Sequence, residues 1–197
     1  KQGYGIVVEI KLKKEDNSPM SRKLRAVGVD PAFNNTGFCR GFIESGVGGG
    51  RLFVPSSIHL AQTKPAKAKS IKKSADDFAR AQYLAEEIRA HTAGADIVFV
   101  EMPTGSRSAR AAKTLGIAVG CLTAIESSIV SVSALQGKLA LTGKRQASKA
   151  EMIEAAKKRN PELEWTDTLK DEHMADALAA VLAGMQTAQF FDMVFEN

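Results

Sequence analysis

Asp30, Glu101, His173 and Asp176 are the residues of this chain whose types and spacing could do chemistry together. Asp30 closes the apolar run Leu24–Asp30, and Pro31 behind it keeps the acid in extended backbone. Glu101 closes a second apolar run, Asp96–Glu101, and is also followed by a proline-containing turn, Met102-Pro103-Thr104-Gly105. His173 and Asp176 stand at i and i+3 among small and apolar residues, so they project from one helix face. Glu172 is an outer candidate for that face. Singly, each has an ordinary reading: Asp30 as a turn-capping acid, His173 as a satisfied or solvated histidine, Asp176 as a cap or a lysine's partner. Together, three acids and an imidazole converging on one place would repel one another unless cations bind. Hard oxygen donors with open positions suit Mg²⁺ or Mn²⁺ rather than zinc. Two such ions can flank a phosphodiester, one activating water and the other stabilising the leaving oxygen.

The basic residues are consistent with a polyanionic partner. Lys64, Lys67, Lys69, Lys72 and Lys73 crowd a loop around Pro65, which reads equally as a solvated linker or as a phosphate-contacting loop. A second basic and irregular stretch, Gln136 to Lys149, carries Lys138, Lys144, Arg145 and Lys149. Across 197 residues Lys+Arg exceed Asp+Glu by 27 to 22, a formal charge of +5 that permits such a partner without demanding one. Cys39 and Cys121 sit in apolar contexts without metal-ligand spacing, as expected for buried free thiols in a reducing compartment. No apolar run approaches the roughly 18 residues that span a bilayer, and no signal peptide is visible. A cytoplasmic, intracellular location without membrane attachment is expected.

The elements that must position the acids follow from periodicity. Leu24–Asp30, Gly37–Glu44 and Arg51–His59 read as three antiparallel strands, with a hairpin-type loop at Gly46–Gly50. A helix from Ser74 carries Phe78, Ala81, Leu84, Ala85 and Ile88 on its apolar stripe and ends at Gly94. Asp96–Glu101 is a strand covered on both faces. Arg107 to about Ser127 is an Ala- and Gly-rich helix in which Gly116 and Gly120 suggest close backbone packing, and Ile129–Ser133 is a fifth strand. Ser148 caps a helix reaching Asn160-Pro161, and a last helix covers about 171–186. The fold class is α/β: a five-stranded mixed sheet, three strands antiparallel and then two parallel, with helices on both faces. Residues 1–19, strand-like over Gly5–Leu12, read as an upstream extension or an appended segment, with the working domain over 20–197.

Val29-Asp30-Pro31, Thr36-Gly37, Phe99-Val100-Glu101, Ala111 to Gly116 and His173-Met174-Ala175-Asp176-Ala177-Leu178 resemble, in this order, a RuvC-type Holliday-junction resolvase. The similarity runs from about Leu24 to Gly184, in a family of the ribonuclease H-like fold. The resemblance implies a homodimeric, Mg²⁺-dependent endonuclease that makes paired nicks in four-way DNA junctions. By motif match, Asp30 is the first-strand metal ligand, Glu101 the acid bridging or flanking the metals, and Asp176 the last helix ligand, with His173 before it. Lys138 resembles a family lysine that supports the reaction near the phosphate, and Arg107 stands where the family carries a basic DNA contact. Lys113, Lys144, Arg145 and Lys149 are further DNA-facing candidates, and the helix of 107–127 matches the family's dimer interface.

Two positions depart from the pattern. Ala32 replaces the glycine after Asp-Pro, and Thr104 replaces an aromatic that would stack on unpaired bases at the crossover. Looser choice among branched DNAs is the consequence expected. The competing reading is a non-catalytic, structure-selective DNA-binding module of the same fold. An actin-like ATPase would need several glycine-rich phosphate loops, and no Ser or Cys stands in a nucleophile-elbow context.

Overall fold

The sheet is built around the strand that ends on Asp30. In a computed structural model describing residues 6–8, 23–45, 50–68, 70–106 and 108–195, β1 is Ile6–Val8, β2 Leu24–Asp30, β3 Asn35–Ser45, β4 Arg51–Gln62, β5 Ile97–Glu101 and β6 Ser128–Val132. Their order is β1-β4-β3-β2-β5-β6. The first four in that order pair antiparallel, whereas β2, β5 and β6 run parallel. The expected five strands are all present, and β1 adds a sixth at the edge, inside the segment that the sequence reading set apart. The parallel register pairs Val29 with Val100, so the next residues, Asp30 and Glu101, emerge side by side at one end of the sheet.

Helices cover both faces. α1 (Lys73–Thr92) and α2 (Ala109–Cys121) lie on one, where Val27, Val29, Phe38, Leu84, Ile88, Val98 and Val100 form a core. α3 (Ala134–Thr142), α4 (Lys149–Arg159), α5 (Asp171–Gly184) and α6 (Ala188–Phe195) lie on the other. α5 is the central helix of that face, buried without interruption from Ala177 to Gly184. Its small side chains let it rest directly on strand backbone. A Cβ at Gly28 would overlap the carbonyl oxygen of Ala177, and one at Gly37 that of His173. These close approaches fix the height of α5 over the ends of β2 and β3, and so the position of its polar residues.

Several expectations change. Lys138 belongs to a helix rather than an irregular loop: Ser133 and Gln136 form a capping box that starts α3, and Gly143 ends it at φ 74°. The second helix starts at Ala109; Arg107 and Gly46–Gly49 lie outside the described residues. Phe78, read onto the apolar stripe of α1, is 65 % exposed. The buried stripe runs instead through Asp77, Arg80, Leu84 and Ile88, because ion pairs bury the first turns of this helix. Among the described residues, no atom beyond their own helix and neighbours comes within 4 Å of a Cβ placed on Gly116 or Gly120, so the close backbone packing expected of both glycines is not seen among them. Cys39 and Cys121 are buried and free, as expected. Among the described residues no single helix is long and apolar enough to cross a membrane.

Candidate metal centre and nucleic-acid face

Asp30 and Glu101 stand at adjacent strand ends, and α5 brings His173 and Asp176 over them. His173 Nδ1 lies 2.7 Å from Asp30 Oδ2, with both side chains largely buried. His173 Nε2 faces Glu172 Oε1 at 3.7 Å, and Glu172 Oε2 in turn holds Lys149 Nζ at 2.6 Å. Lys138 on α3 lies near enough for its charge to act on both Glu101 and Asp176. The preceding Gly137 lies against the same group: a Cβ there would make ordinary contact with Glu101 Oε2 at 3.5 Å.

The electrostatics are those of acids crowded in a dry place. Burial, then the charges of Asp176 and Asp30, push Glu101 up to about 8, against the pull of Lys138. Burial and the charges of Asp30 and Glu172 push Asp176 up to about 7, opposed by His173 and Lys138. Burial alone would lower His173, but the hydrogen bond and charge of Asp30 reverse this and hold the imidazole above its usual value. A divalent cation would relieve this repulsion, and the donor set, carboxylate oxygens with one imidazole, fits Mg²⁺ or Mn²⁺. The ligand atoms are spread: among the described residues only His59, Glu87 and His91, elsewhere in the molecule, bring three such atoms within 4.8 Å of one another.

The expected DNA-facing residues fall in different settings. Lys144 and Lys149 are exposed and paired with Glu151 and Glu172, and Arg145 is exposed beside them. Lys113 of α2 is held 2.7 Å from Asp77. It lines a cleft of about 590 Å³ with Asn34, Lys73, Arg80, Arg110 and Thr114. Arg80 and Arg110 were not singled out from sequence; the i,i+3 pair Asp77–Arg80 was the available signal. Lys113 and then Lys73 hold Asp77 down to about 2. Ala32 fits its turn without strain, since among the described residues Asp167 alone has positive φ without being glycine. The Thr36 hydroxyl closes that turn by donating to the Ala32 carbonyl at 2.8 Å. Thr104 is exposed.

The mixed sheet with helices on both faces is the ribonuclease H-like fold, the fold that RuvC has. No protein-family model and no curated protein matches the sequence. Among solved structures, Thermus thermophilus RuvC matches with a TM-score of 0.58 and 21% identity over 81% of this chain and 92% of that one. The same protein in complex with a Holliday junction substrate gives a TM-score of 0.57 and 22% identity over 87% and 96%. The Fowlpox virus resolvase with its substrate Holliday junction DNA gives a TM-score of 0.51 and 12% identity over 83% and 97%. At these identities the likeness is one of fold.

Proposed function

We propose that this chain is an intracellular, metal-dependent endonuclease that nicks four-way or related branched DNA junctions in pairs. The carrying observation is the gathering of Asp30, Glu101 and Asp176 from separate elements, with Glu101 raised to about 8 and Asp176 to about 7. Acids kept in so unfavourable a state are functional-site candidates. Asp30, Glu101, Asp176 and His173 would hold Mg²⁺ or Mn²⁺, with His173 shedding its proton to do so. The bound ions would supply an activated water and a Lewis acid for the leaving 3′ oxygen. Lys138, charged beside Glu101 and Asp176, stabilises the developing negative charge of the phosphate. Arg107, Lys113, Lys144, Arg145 and Lys149 contact the DNA backbone, and the Lys149–Glu172 pair at the rim opens as phosphate takes the acid's place.

Paired nicking calls for two copies. The exposed face of α2 carries Ala112, Gly116 and Gly120 at four-residue spacing, with none of the described residues from outside the helix packed on the glycines. That supports a homodimer through the helix of about 107–127. With Thr104 in place of a stacking aromatic, selection among branched DNAs is loose.

The test is a panel of end-labelled four-way, three-way, flap and linear DNA incubated with Mg²⁺ or Mn²⁺. Branched substrates should be nicked, and Asp30→Asn or Glu101→Gln should lower the rate by about 10²–10³-fold while binding persists, given that metal catalysis supplies several kcal/mol. Junction binding without cleavage by the wild-type chain in either metal would overturn the enzyme and leave the non-catalytic binding module.

A further inference from the structure

On the sheet face opposite α5, His59 of β4 meets Glu87 and His91 of α1. We propose that His59, Glu87 and His91 form a second metal site, separate from the strand-end carboxylates, which takes a Zn²⁺-class transition ion. The three ligand atoms lie within 4.8 Å of one another. His59 Nε2 is 3.3 Å from Glu87 Oε2, and His91 Nε2 is 3.6 Å from the same oxygen. Tetrahedral zinc with bonds of about 2.0–2.1 Å sets its ligand atoms roughly 3.3–3.4 Å apart, so the two histidine–carboxylate spacings are near those of a bound ion.

The surroundings orient the donors. Glu87 and His91 are four residues apart on α1 and share a face. His59 sits opposite Phe38 in the β3–β4 register. Phe38 is fully buried and stacks on His91 at 4.7 Å between ring centroids, and His59 stacks on His91 at 4.1 Å. Tyr83, one turn back, lies close enough to Glu87 for the carboxylate, after burial, to raise the phenol's pKa, a neighbour of the kind that supports a metal-binding carboxylate. The two imidazoles are inclined by only 20°, so their in-plane lone pairs run nearly parallel, and one ring turns out of the stack for both to reach one ion. His59, whose side chain is 45 % exposed, has the room to do it.

Two imidazoles and one carboxylate select zinc, cobalt, nickel or copper over magnesium. Three protein ligands leave a fourth position for water on the exposed side, and the ion ties β4 to the C-terminal half of α1. The site stands independently of any nuclease activity. The metal-free full chain is titrated with Co²⁺ and then Zn²⁺, in wild type and in the Asp30→Asn/Glu101→Gln double variant. One Co²⁺ per chain with visible tetrahedral d–d bands, displaced by Zn²⁺ and unchanged in the double variant, is expected. His59→Asn and His91→Asn should abolish the bands, and Glu87→Gln should weaken binding at least about tenfold. His59→Asn alters a half-exposed side chain, so its circular dichroism should match wild type. Absent bands at stoichiometric Co²⁺, or bands that survive in a folded His59→Asn, overturn the site.

Discussion

Asp171 and Asp176 lie five residues apart on α5, both taken out of bulk water, and their environments drive them in opposite directions. Asp171 is fully buried, yet it accepts the backbone N–H groups of Thr166 at 2.9 Å and Asp167 at 3.0 Å, the Thr166 hydroxyl, and Lys157 Nζ at 2.8 Å. Burial would raise its pKa, but these partners outweigh burial and hold it below the usual carboxylate range. Asp176 keeps more open surface, yet burial, and then the charges of Asp30 and Glu172, raise it to about 7 because none of the described residues donates to it as Thr166 and Lys157 do to Asp171. Burial therefore does not separate the two; satisfaction does. The satisfied acid ties the loop before α5, including Asp167 in its left-handed conformation, to the helix start. The acid without such partners keeps an open face, as the proposed metal site requires.

The largest effect that could break this contrast is catalytic. Asp176→Asn should reduce metal-dependent nicking by about 10²–10³-fold, with a melting temperature equal to or above wild type because a repelling charge is gone. A clear fall in melting temperature, with nicking retained, would make Asp176 a structural acid like its neighbour. Asp171→Ala should do the reverse. Removing one partner of a buried ion pair costs about 3–5 kcal/mol, and Lys157, partly open to water, argues for the lower end. A loss of ~3 kcal/mol lowers the melting temperature by roughly 6–12 °C in a chain of this size. Nicking per folded molecule, measured well below that transition, should stay within a few-fold of wild type.

The same contrast explains what was legible in the sequence. The convergence of Asp30, Glu101, His173 and Asp176 could be read because strand ends followed by proline and an i,i+3 helix pair are local signals. Asp171 could not, since its partners arrive through a loop closing on Thr166 and a lysine from another helix. α3 was missed because Leu135 and Leu139 are both exposed, so its pattern lacks an apolar stripe; the Ser133–Gln136 capping box was the readable signal. Phe78 has the spacing of a core residue, but the first turns of α1 bury Asp77 and Arg80 instead. Gly28 and Gly37 set the height of α5, a function that appears only when helix meets strand. The His59–Glu87–His91 group likewise depends on β4 packing against α1.

The smallest effect separates the two kinds of acid by pH. Glu101 and Asp176, raised to about 8 and 7, keep protons in the folded state that the unfolded chain releases above its ordinary carboxylate range of about 4. For such groups the folded state binds more protons, so stability of the metal-free protein falls as pH rises from about 4.5 to 8. Asp171, held below its ordinary value, contributes stability above about pH 4 and loses it as pH falls through its folded pKa. Melting curves in chelator should therefore decline on both sides of a maximum in the weakly acidic range, by on the order of 5 °C toward pH 8. Mg²⁺ should remove the decline on the neutral side, since a bound cation favours the ionised acids, and leave the acid side unchanged. Asp176→Asn should flatten the neutral side without metal, and Asp171→Asn should flatten the acid side alone. A neutral limb indifferent to both Mg²⁺ and Asp176→Asn would show that the strand-end acids are as well satisfied as Asp171, and the distinction between them would be lost.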